Sequence, residues 1–317
     1  MIAIIISVLS STNTFAQARH GTKTVVNDTA GNEEDEKPNT QLRSLVDAQY
    51  LNSGSGNSYT EAIFKSSRII NGQSIENIPQ GVLEFRLSHR FGELQQGAET
   101  FFGFDNATTR IGLNYGLFKW LMIGAGRSTY QKEFDGFVKI KILRQTMNER
   151  MPFSVSFVSA PSIQTLPSQE LAPAGTNYNF RDRMYYTNQL LFARKFNTRL
   201  SLQLIPTYIH YNIVPTSNES NDEIAIGLGG RYKLNNRIAL TAEYYYRLPF
   251  YSLNGYTNSL SIGIDIETVG HVFQLFFTNS ADITERTFIE ETTGNWAKGG
   301  IHFGFNLSRV FNVAKHK

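Results

Sequence analysis

Hydrophobic and polar residues alternate strictly near the C-terminal end of the chain. In the stretch GGIHFGFNLSRVF, residues 299–311, a large apolar residue occupies every second position from Ile301 to Leu307. A period of two predicts a β-strand with one apolar face and one polar face. The apolar face must contact either a protein core or lipid, and the rest of the chain decides between them.

Segments with the same alternation recur from Pro79 onward, each bounded by turn residues. Most of them have the length of a tilted membrane strand, about 9–11 residues, whereas strands of soluble proteins average about 5–6. Twelve segments are predicted: 82–91, 109–117, 120–130, 136–145, 151–160, 184–195, 199–210, 223–234, 237–248, 258–267, 271–279 and 300–311.

Long and short connections alternate between these segments. Long polar stretches follow the first, fifth, seventh, ninth and eleventh segments, short turns follow the even-numbered ones, and the brief QKEFD after the third is the exception. An up-and-down barrel with short turns at one end and long loops at the other has this pattern and an even number of strands. The predicted fold class is all-β, a closed antiparallel transmembrane β-barrel of about 12 strands with a disordered N-terminal linker.

A sheet that spans a membrane must close on itself, because hydrocarbon offers no partner for an unpaired backbone group. We expect the apolar faces to contact lipid and the polar faces to line the interior. A soluble core with the charges outside is the alternative, and the loop alternation favours lipid. The candidate lumen-lining residues are Glu84, Arg86, Arg90, Lys139, Lys141, Glu243, Arg247, Asp265 and Glu267.

The region before the first strand divides into three predicted parts. Residues 1–16 have the apolar run and small residues of an export signal, although its usual basic start is missing. Residues 17–59 are polar and acidic, which predicts a flexible periplasmic linker. Residues 60–81 are expected at or inside the mouth of the barrel, whose wall is 82–311. A short basic periplasmic tail, 312–317, ends the chain.

Two residue types modify the predicted wall. Glycines fall on the polar side of several strands, where they leave interior space and allow the wall to curve. Pro206 removes a ladder hydrogen bond inside the seventh strand. We expect that strand either to leave the membrane early or to contain a bulge that resets its parity. The glycines are Gly112, Gly116, Gly124, Gly126, Gly227, Gly229, Gly263 and Gly304.

Composition excludes several kinds of chemistry. The chain of 317 residues has no cysteine, a formal net charge of +3 and no basic block, so neither a thiolate site nor a nucleic-acid partner is predicted. Its six histidines lack the spacing of a metal site, and no cofactor is expected. His89 and His210 fall on the outer face near the long-loop rim, where a lipid hydrolase would keep its base, but Ser88 points to the other face.

Three stretches carry a family resemblance: FKSSRIINGQSIENIPQGVLEFRLSHRFG (64–92), NSLSIGIDIETVGHVFQLFFTNS (258–280) and ERTFIEETTGNWAKGGIHFGFNLSRVF (285–311). Together they resemble a family of outer-membrane β-barrel proteins of Bacteroidota that is catalogued as a domain of unknown function. The resemblance spans about residues 60–311. It implies a location in the outer membrane of a Gram-negative cell and a barrel architecture, and it assigns no catalytic residue.

Three hypotheses for function follow. The first is a non-enzymatic pore for small solutes, whose excess of basic lining residues would give a mild preference for anions. The second is a plugged structural or interaction barrel that docks a periplasmic protein through residues 17–79. The third, an outer-membrane lipid hydrolase, is the least favoured. Counting strands does not decide whether the interior is open, since barrels of eight strands are filled and those of sixteen contain a channel.

Overall fold

The computed structural model describes residues 59–60, 62–100, 103, 105–166, 179–214, 219–249, 255–268 and 271–313. The side chains of residues 98–100 are not described. The predicted export signal, residues 17–58 of the predicted linker and residues 314–317 of the tail lie outside these ranges.

Within these ranges, twelve antiparallel strands form one closed barrel in which each strand pairs with its sequence neighbours and β1 pairs with β12. The predicted fold class and strand number are confirmed. The strands are β1 Val82–Glu93, β2 Ala107–Phe118, β3 Leu121–Ser128, β4 Glu133–Leu143, β5 Ser154–Gln164, β6 Met184–Lys195, β7 Leu200–Tyr211, β8 Asp222–Lys233, β9 Ile238–Arg247, β10 Ser259–Thr268, β11 His271–Thr278 and β12 His302–Asn312.

The two ends of the barrel differ in their connections. We call the end where β1 begins and β12 ends the short-turn end, and the opposite end the long-loop end. Turns at the short-turn end include residues 119–120 and 196–199, whereas 165–183 and 279–301 connect strands at the other end. The connection 144–153 is longer than predicted, because β4 ends at Leu143, two residues earlier, and β5 begins at Ser154, three residues later.

Pro206 neither ends its strand early nor resets the parity, so that expectation was wrong. β7 continues through it to Tyr211, and Gln203, Thr207 and Ile209 all face the interior. The register with β6 is the same on both sides of the proline, although no bridge pair is formed at Leu190 or Leu191. The missing N–H is tolerated because the pairing with β8 continues through Pro206 without a break.

Apolar side chains face outward all round the wall. Leu228 is 55% exposed and Ile111 is 52% exposed, whereas the inward side chains Arg86 and Lys139 are almost fully buried. This is the reverse of a soluble protein, in which large apolar side chains are buried and charges are exposed. The described ranges contain no helix with the length and hydrophobicity of a transmembrane span.

Residues 62–81 form a hairpin inside the barrel, which we call the luminal hairpin. It begins beside the β4–β5 connection, where Tyr59 bridges Thr146, and it returns to the short-turn end, where Gln80 bridges Gly116. Its tip is a tight turn in which the Ile69 N–H donates to the Gly72 carbonyl at 2.8 Å. Both ends of the hairpin therefore lie at the same end of the barrel, and its tip lies among the strands.

The connection between β11 and β12 folds into the barrel from the long-loop end. It contains a short helix, α1 Glu285–Glu290, whose six side chains are all buried. Phe288 of α1 packs edge-on against Tyr245 of β9 at a ring distance of 5.2 Å. The segment is therefore part of the interior packing.

The interior contains an apolar core as well as charged groups. Inward side chains of the wall, among them Met122, Phe137, Val158, Leu191 and Ile205, form one buried cluster with residues of the two inserted segments. The hairpin contributes Ile63, Phe64, Ile69, Ile75 and Ile78, and α1 contributes Phe288 and Ile289.

Candidate functional site: the filled interior

The nine candidate lumen-lining residues all lie on the inward face, and seven of them are buried. Lys141 and Glu267 are the partly exposed ones, with side-chain exposures of 12% and 17%. Eight of the nine contact the luminal hairpin or α1, so they do not line an open channel.

The two arginines of β1 hold the tip of the luminal hairpin. Arg86 donates from Nη1 to Ser66 Oγ at 2.9 Å and from Nη2 to the Ile70 carbonyl at 3.3 Å. Arg90 donates to the side-chain oxygen of Asn71 and lies over the ring of Phe276 at 4.1 Å. The hairpin therefore binds Arg86 through a side-chain and a backbone oxygen, and it binds Arg90 through a side-chain oxygen.

Lys139 of β4 satisfies three backbone carbonyls of the hairpin at once. Its Nζ donates to Ser67 at 3.0 Å, Ser74 at 3.0 Å and Glu76 at 2.9 Å. An ammonium group has three donors, so all of them are used here. Lys141, two residues along the strand, lies 3.9 Å from the Glu76 carboxylate.

Glu243 of β9 accepts three successive backbone N–H groups of the hairpin tip. The N–H groups of Ile70, Asn71 and Gly72 reach its two oxygens at 3.2, 2.8 and 3.1 Å. Hydrogen bonds to an ionised acceptor are stronger than neutral ones, and a buried backbone N–H must find a partner. The carboxylate therefore fixes the conformation of the tip as well as its position.

The remaining candidates bind both segments and each other. Glu84 accepts from Ser67 Oγ at 2.8 Å, Glu267 pairs with Lys65 at 3.2 Å, and Arg247 pairs with Glu290 of α1 at 2.7 Å. Asp265 is the exception, because its partners Gln274 and Arg231 belong to the wall.

Charged residues that the sequence did not indicate complete the interior. Arg68 and Glu285 pair between the hairpin and α1, and Arg286 pairs with Glu133 of β4 at 2.7 Å. Arg286 also lies over the ring of Tyr185 at 4.2 Å. Arg68 belongs to the luminal hairpin, and Glu285 and Arg286 belong to α1. Strand parity therefore gives no information about the direction of these three side chains.

Two acidic residues of the β11–β12 connection titrate abnormally. Burial raises the pKa of Glu290 to about 7, against the opposing effect of its hydrogen bond from Arg247. Burial also raises the pKa of Asp282, whose carboxylate accepts from Ser128 Oγ at 3.0 Å. Both acids carry their charge at a cost in the packed interior.

In the described part of the chain, neither His89 nor His210 has a serine hydroxyl as its hydrogen-bond partner. His89 Nδ1 contacts the hydroxyl of Thr109 at 2.8 Å, and His210 Nδ1 contacts Asp222 at 2.7 Å. Ser88 is buried on the inward face, away from the outward ring of His89. No group of three or more described His, Cys, Asp or Glu residues is placed to hold a metal ion.

Comparison with known proteins gives a family match and distant structural similarities. A family model described as "Membrane bound beta barrel domain (DUF5777)" matches residues 64–311. No curated protein matches the sequence. The NanC porin is 10% identical with a TM-score of 0.45, covering 72% of this chain and 98% of its own. The KdgM porin is 8% identical with a TM-score of 0.44, covering 74% and 99%. The toluene transporter TodX of Pseudomonas putida is 14% identical with a TM-score of 0.26, covering 64% and 48%.

Proposed function

Because the chain belongs to the DUF5777 family of membrane-bound β-barrel domains, we propose that it is an outer-membrane barrel closed by its own chain. Its role is structural: it anchors the N-terminal region on one side of the membrane and presents long loops on the other. The first hypothesis, a pore for small solutes, would require an inserted segment to move, because the luminal hairpin and α1 both lie in the interior.

The main observation for this proposal is the apolar contact between the luminal hairpin and the inner wall. Ile63, Phe64, Ile69, Ile75 and Ile78 of the luminal hairpin are each at most 7% exposed and pack against inward apolar side chains of the wall. Burying a large apolar side chain contributes about 1.5–3 kcal/mol, so five contribute on the order of 10 kcal/mol. An aqueous pore would leave both apolar surfaces in water.

The position of the hairpin limits where a partner protein can bind. Residues 62–79 lie inside the barrel, so the docking region shortens from residues 17–79 to residues 17–58. The described chain enters at the short-turn end, which faces the periplasm in bacterial barrels of this kind. A partner would therefore bind in the periplasm, and deleting residues 17–58 should abolish its cross-linking while the folded barrel remains.

The conductance of the full-length protein in planar bilayers tests the closed state. A disulfide between Ile69→Cys and Gly229→Cys would lock the hairpin to β8, and the chain has no native cysteine to compete. A Cβ atom at Gly229 would lie 3.5 Å from Cγ1 of Ile69, so the two residues are in direct contact, as a disulfide requires. We expect no steady current from the unmodified protein or from the oxidised pair. The single variant Ile69→Cys is the control, because a Cβ atom at Gly229 beside an intact Ile69 would overlap its Cδ1.

A gated channel is the second candidate. One isolated bridge, from Gln80 to Gly116, is the pairing of the hairpin with a barrel strand in the described residues, so its tip can withdraw without breaking any pair of the twelve strands. Its withdrawal would uncover Arg86, Arg90 and Lys139, which favour anions. A current that disappears when the cysteine pair is oxidised and returns on reduction would show that the protein is a gated channel and not a closed structural barrel. A current that is the same in the oxidised and the reduced protein would contradict both the closed barrel and the gated channel.

A further inference from the structure

The outward face of β6 to β10 carries a groove of about 660 Å³. Gly230 of β8 and Ala242 of β9 form its floor, and they are direct partners in the sheet. Phe192 and Leu202 rise on one side of this pair, and Leu260 rises on the other. The groove exists because two neighbouring outward positions have small side chains where most others are large.

The surroundings of the groove are hydrocarbon, since the outward face of this barrel contacts the membrane interior. Its volume falls within the range of about 300–1,000 Å³ that is usual for small-molecule sites. An occupant must therefore be largely apolar, and it must reach the groove from within the membrane.

A cationic group stands at the short-turn end of the groove. Arg194 is an outward residue near the end of β6, and its guanidinium lies over the ring of Phe196 at 5.2 Å. Its acidic partner Glu149 is 3.6 Å away and 74% exposed, so the pair is weak. Further basic residues lie in or beside the adjacent turns: Lys195, Arg199, Lys233 and Arg237.

We propose that this groove binds one phospholipid, with an acyl chain along Gly230 and Ala242 and the phosphate on Arg194. The apolar groove and the cation at its end match the two parts of that molecule. A basic rim attracts anionic headgroups, and an arginine fork suits phosphate oxygens. A second copy of the barrel is a poorer match, because it would present another apolar wall to Arg194.

Native mass spectrometry of the full-length protein in mild detergent tests the site. The probe is palmitoyl-oleoyl-phosphatidylglycerol, compared with the diacylglycerol of the same chains, which lacks the phosphate. We expect one tightly retained phospholipid and at least fivefold weaker retention of the diacylglycerol. Ala242→Trp should fill the groove and reduce phospholipid retention at least fivefold. Ile111→Trp, at an outward and exposed position of β2, should leave it unchanged.

Arg194→Gln should remove most of the preference for the phosphate-bearing lipid. Arg309→Gln is the matched control, because Arg309 is also outward near the short-turn end and lies over Phe311 at 5.1 Å, away from the groove. Equal losses for the two arginine variants would mean general attraction of headgroups and would overturn the proposal. Unchanged phospholipid retention by Ala242→Trp would also overturn it. The proposal would fail as well if the unmodified protein formed oligomers that Ala242→Trp dissociates, because a second copy would then occupy the groove.

Discussion

Arg68 and Glu285 meet in the middle of the barrel after entering it from opposite ends. Nη2 of Arg68 lies 2.9 Å from Oε1 of Glu285, and both side chains are 2% exposed. Gln73 Nε2 donates to the same oxygen at 2.9 Å. The luminal hairpin and α1 are thus bound to each other as well as to the wall, so neither segment can move alone without leaving a buried charge unpaired.

Reversing one charge of this pair should destabilise the interior strongly. Glu285→Lys places two cations together without water, and removing one partner of a buried pair typically costs about 3–5 kcal/mol. We expect a loss of that size in the free energy of unfolding, measured by urea titration in detergent micelles. The swapped variant, Arg68→Glu with Glu285→Arg, should recover part of it.

The exposed pair of Arg194 and Glu149 provides the control for this experiment. Their separation is 3.6 Å and both side chains are more than a third exposed. Such pairs contribute about 0–1 kcal/mol, so Glu149→Gln should leave the free energy of unfolding almost unchanged. An equal loss of unfolding free energy at both sites would mean that the buried pair contributes no more to stability than the exposed one.

Strand positions could be predicted from the sequence because each strand has one face in lipid. The prediction placed β6 at residues 184–195, as observed, since apolar residues alternate there with inward residues such as Gln189. The filled interior could not be predicted by that rule, which assigns directions only within strands. One signal was present: Leu191 and Ile205 are apolar at inward positions, and apolar residues on both faces of a strand imply packing on both faces.

The charged residues of the interior show the same limit of strand parity. Parity assigned Glu243 and Lys139 to the inward face, where both side chains are buried, but it could not supply their partners. Those partners are backbone groups of a hairpin 63 to 173 residues away along the chain. A contact between a side chain and a distant backbone leaves no periodic trace in the sequence.

Replacing Glu243 by Gln should loosen the tip of the hairpin. The substitution removes the charge and turns one acceptor into an NH₂ donor that faces backbone N–H groups. Leaving a buried donor without a partner costs about 1–3 kcal/mol. We expect faster hydrogen exchange at the amides of Ile70, Asn71 and Gly72, which the carboxylate now binds. Asp265→Asn, whose partners are in the wall, should not change the exchange rates of these three amides.

Gly116 is required for the hairpin to leave the barrel beside β2. A Cβ atom there would overlap the Pro79 carbonyl oxygen, and backbone atoms cannot move aside easily. Gly116→Ala should therefore expose residues 78–81 to protease and lower the unfolding midpoint. Gly136→Ala is the control, because its Cβ would meet only the Gly124 carbonyl oxygen, at an ordinary 3.5 Å. Similar protection in both variants would show that the approach at Gly116 can relax.

The stability of the β11–β12 segment should fall as the pH rises from about 4.5 to about 7. The raised pKa of Glu290, about 7 against an ordinary 4.5, means that the packed state prefers the protonated acid. This contribution is fully present below pH 4.5, declines between 4.5 and 7, and is lost above, with a total on the order of 3 kcal/mol. Asp282, whose pKa is also raised, acts in the same direction.

Trp296 reports on this segment, because its indole N–H donates to the Leu260 carbonyl at 3.1 Å. In a Trp120→Phe background, its fluorescence should show easier opening of the segment by urea at pH 8 than at pH 5. Glu290→Gln should reduce that pH dependence, since the amide keeps an acceptor for Arg247 and does not ionise. Glu149→Gln, exposed in the β4–β5 connection at the opposite end of the barrel, should keep the full slope. If the slope of Glu290→Gln matched the unmodified protein, another group would be responsible for it.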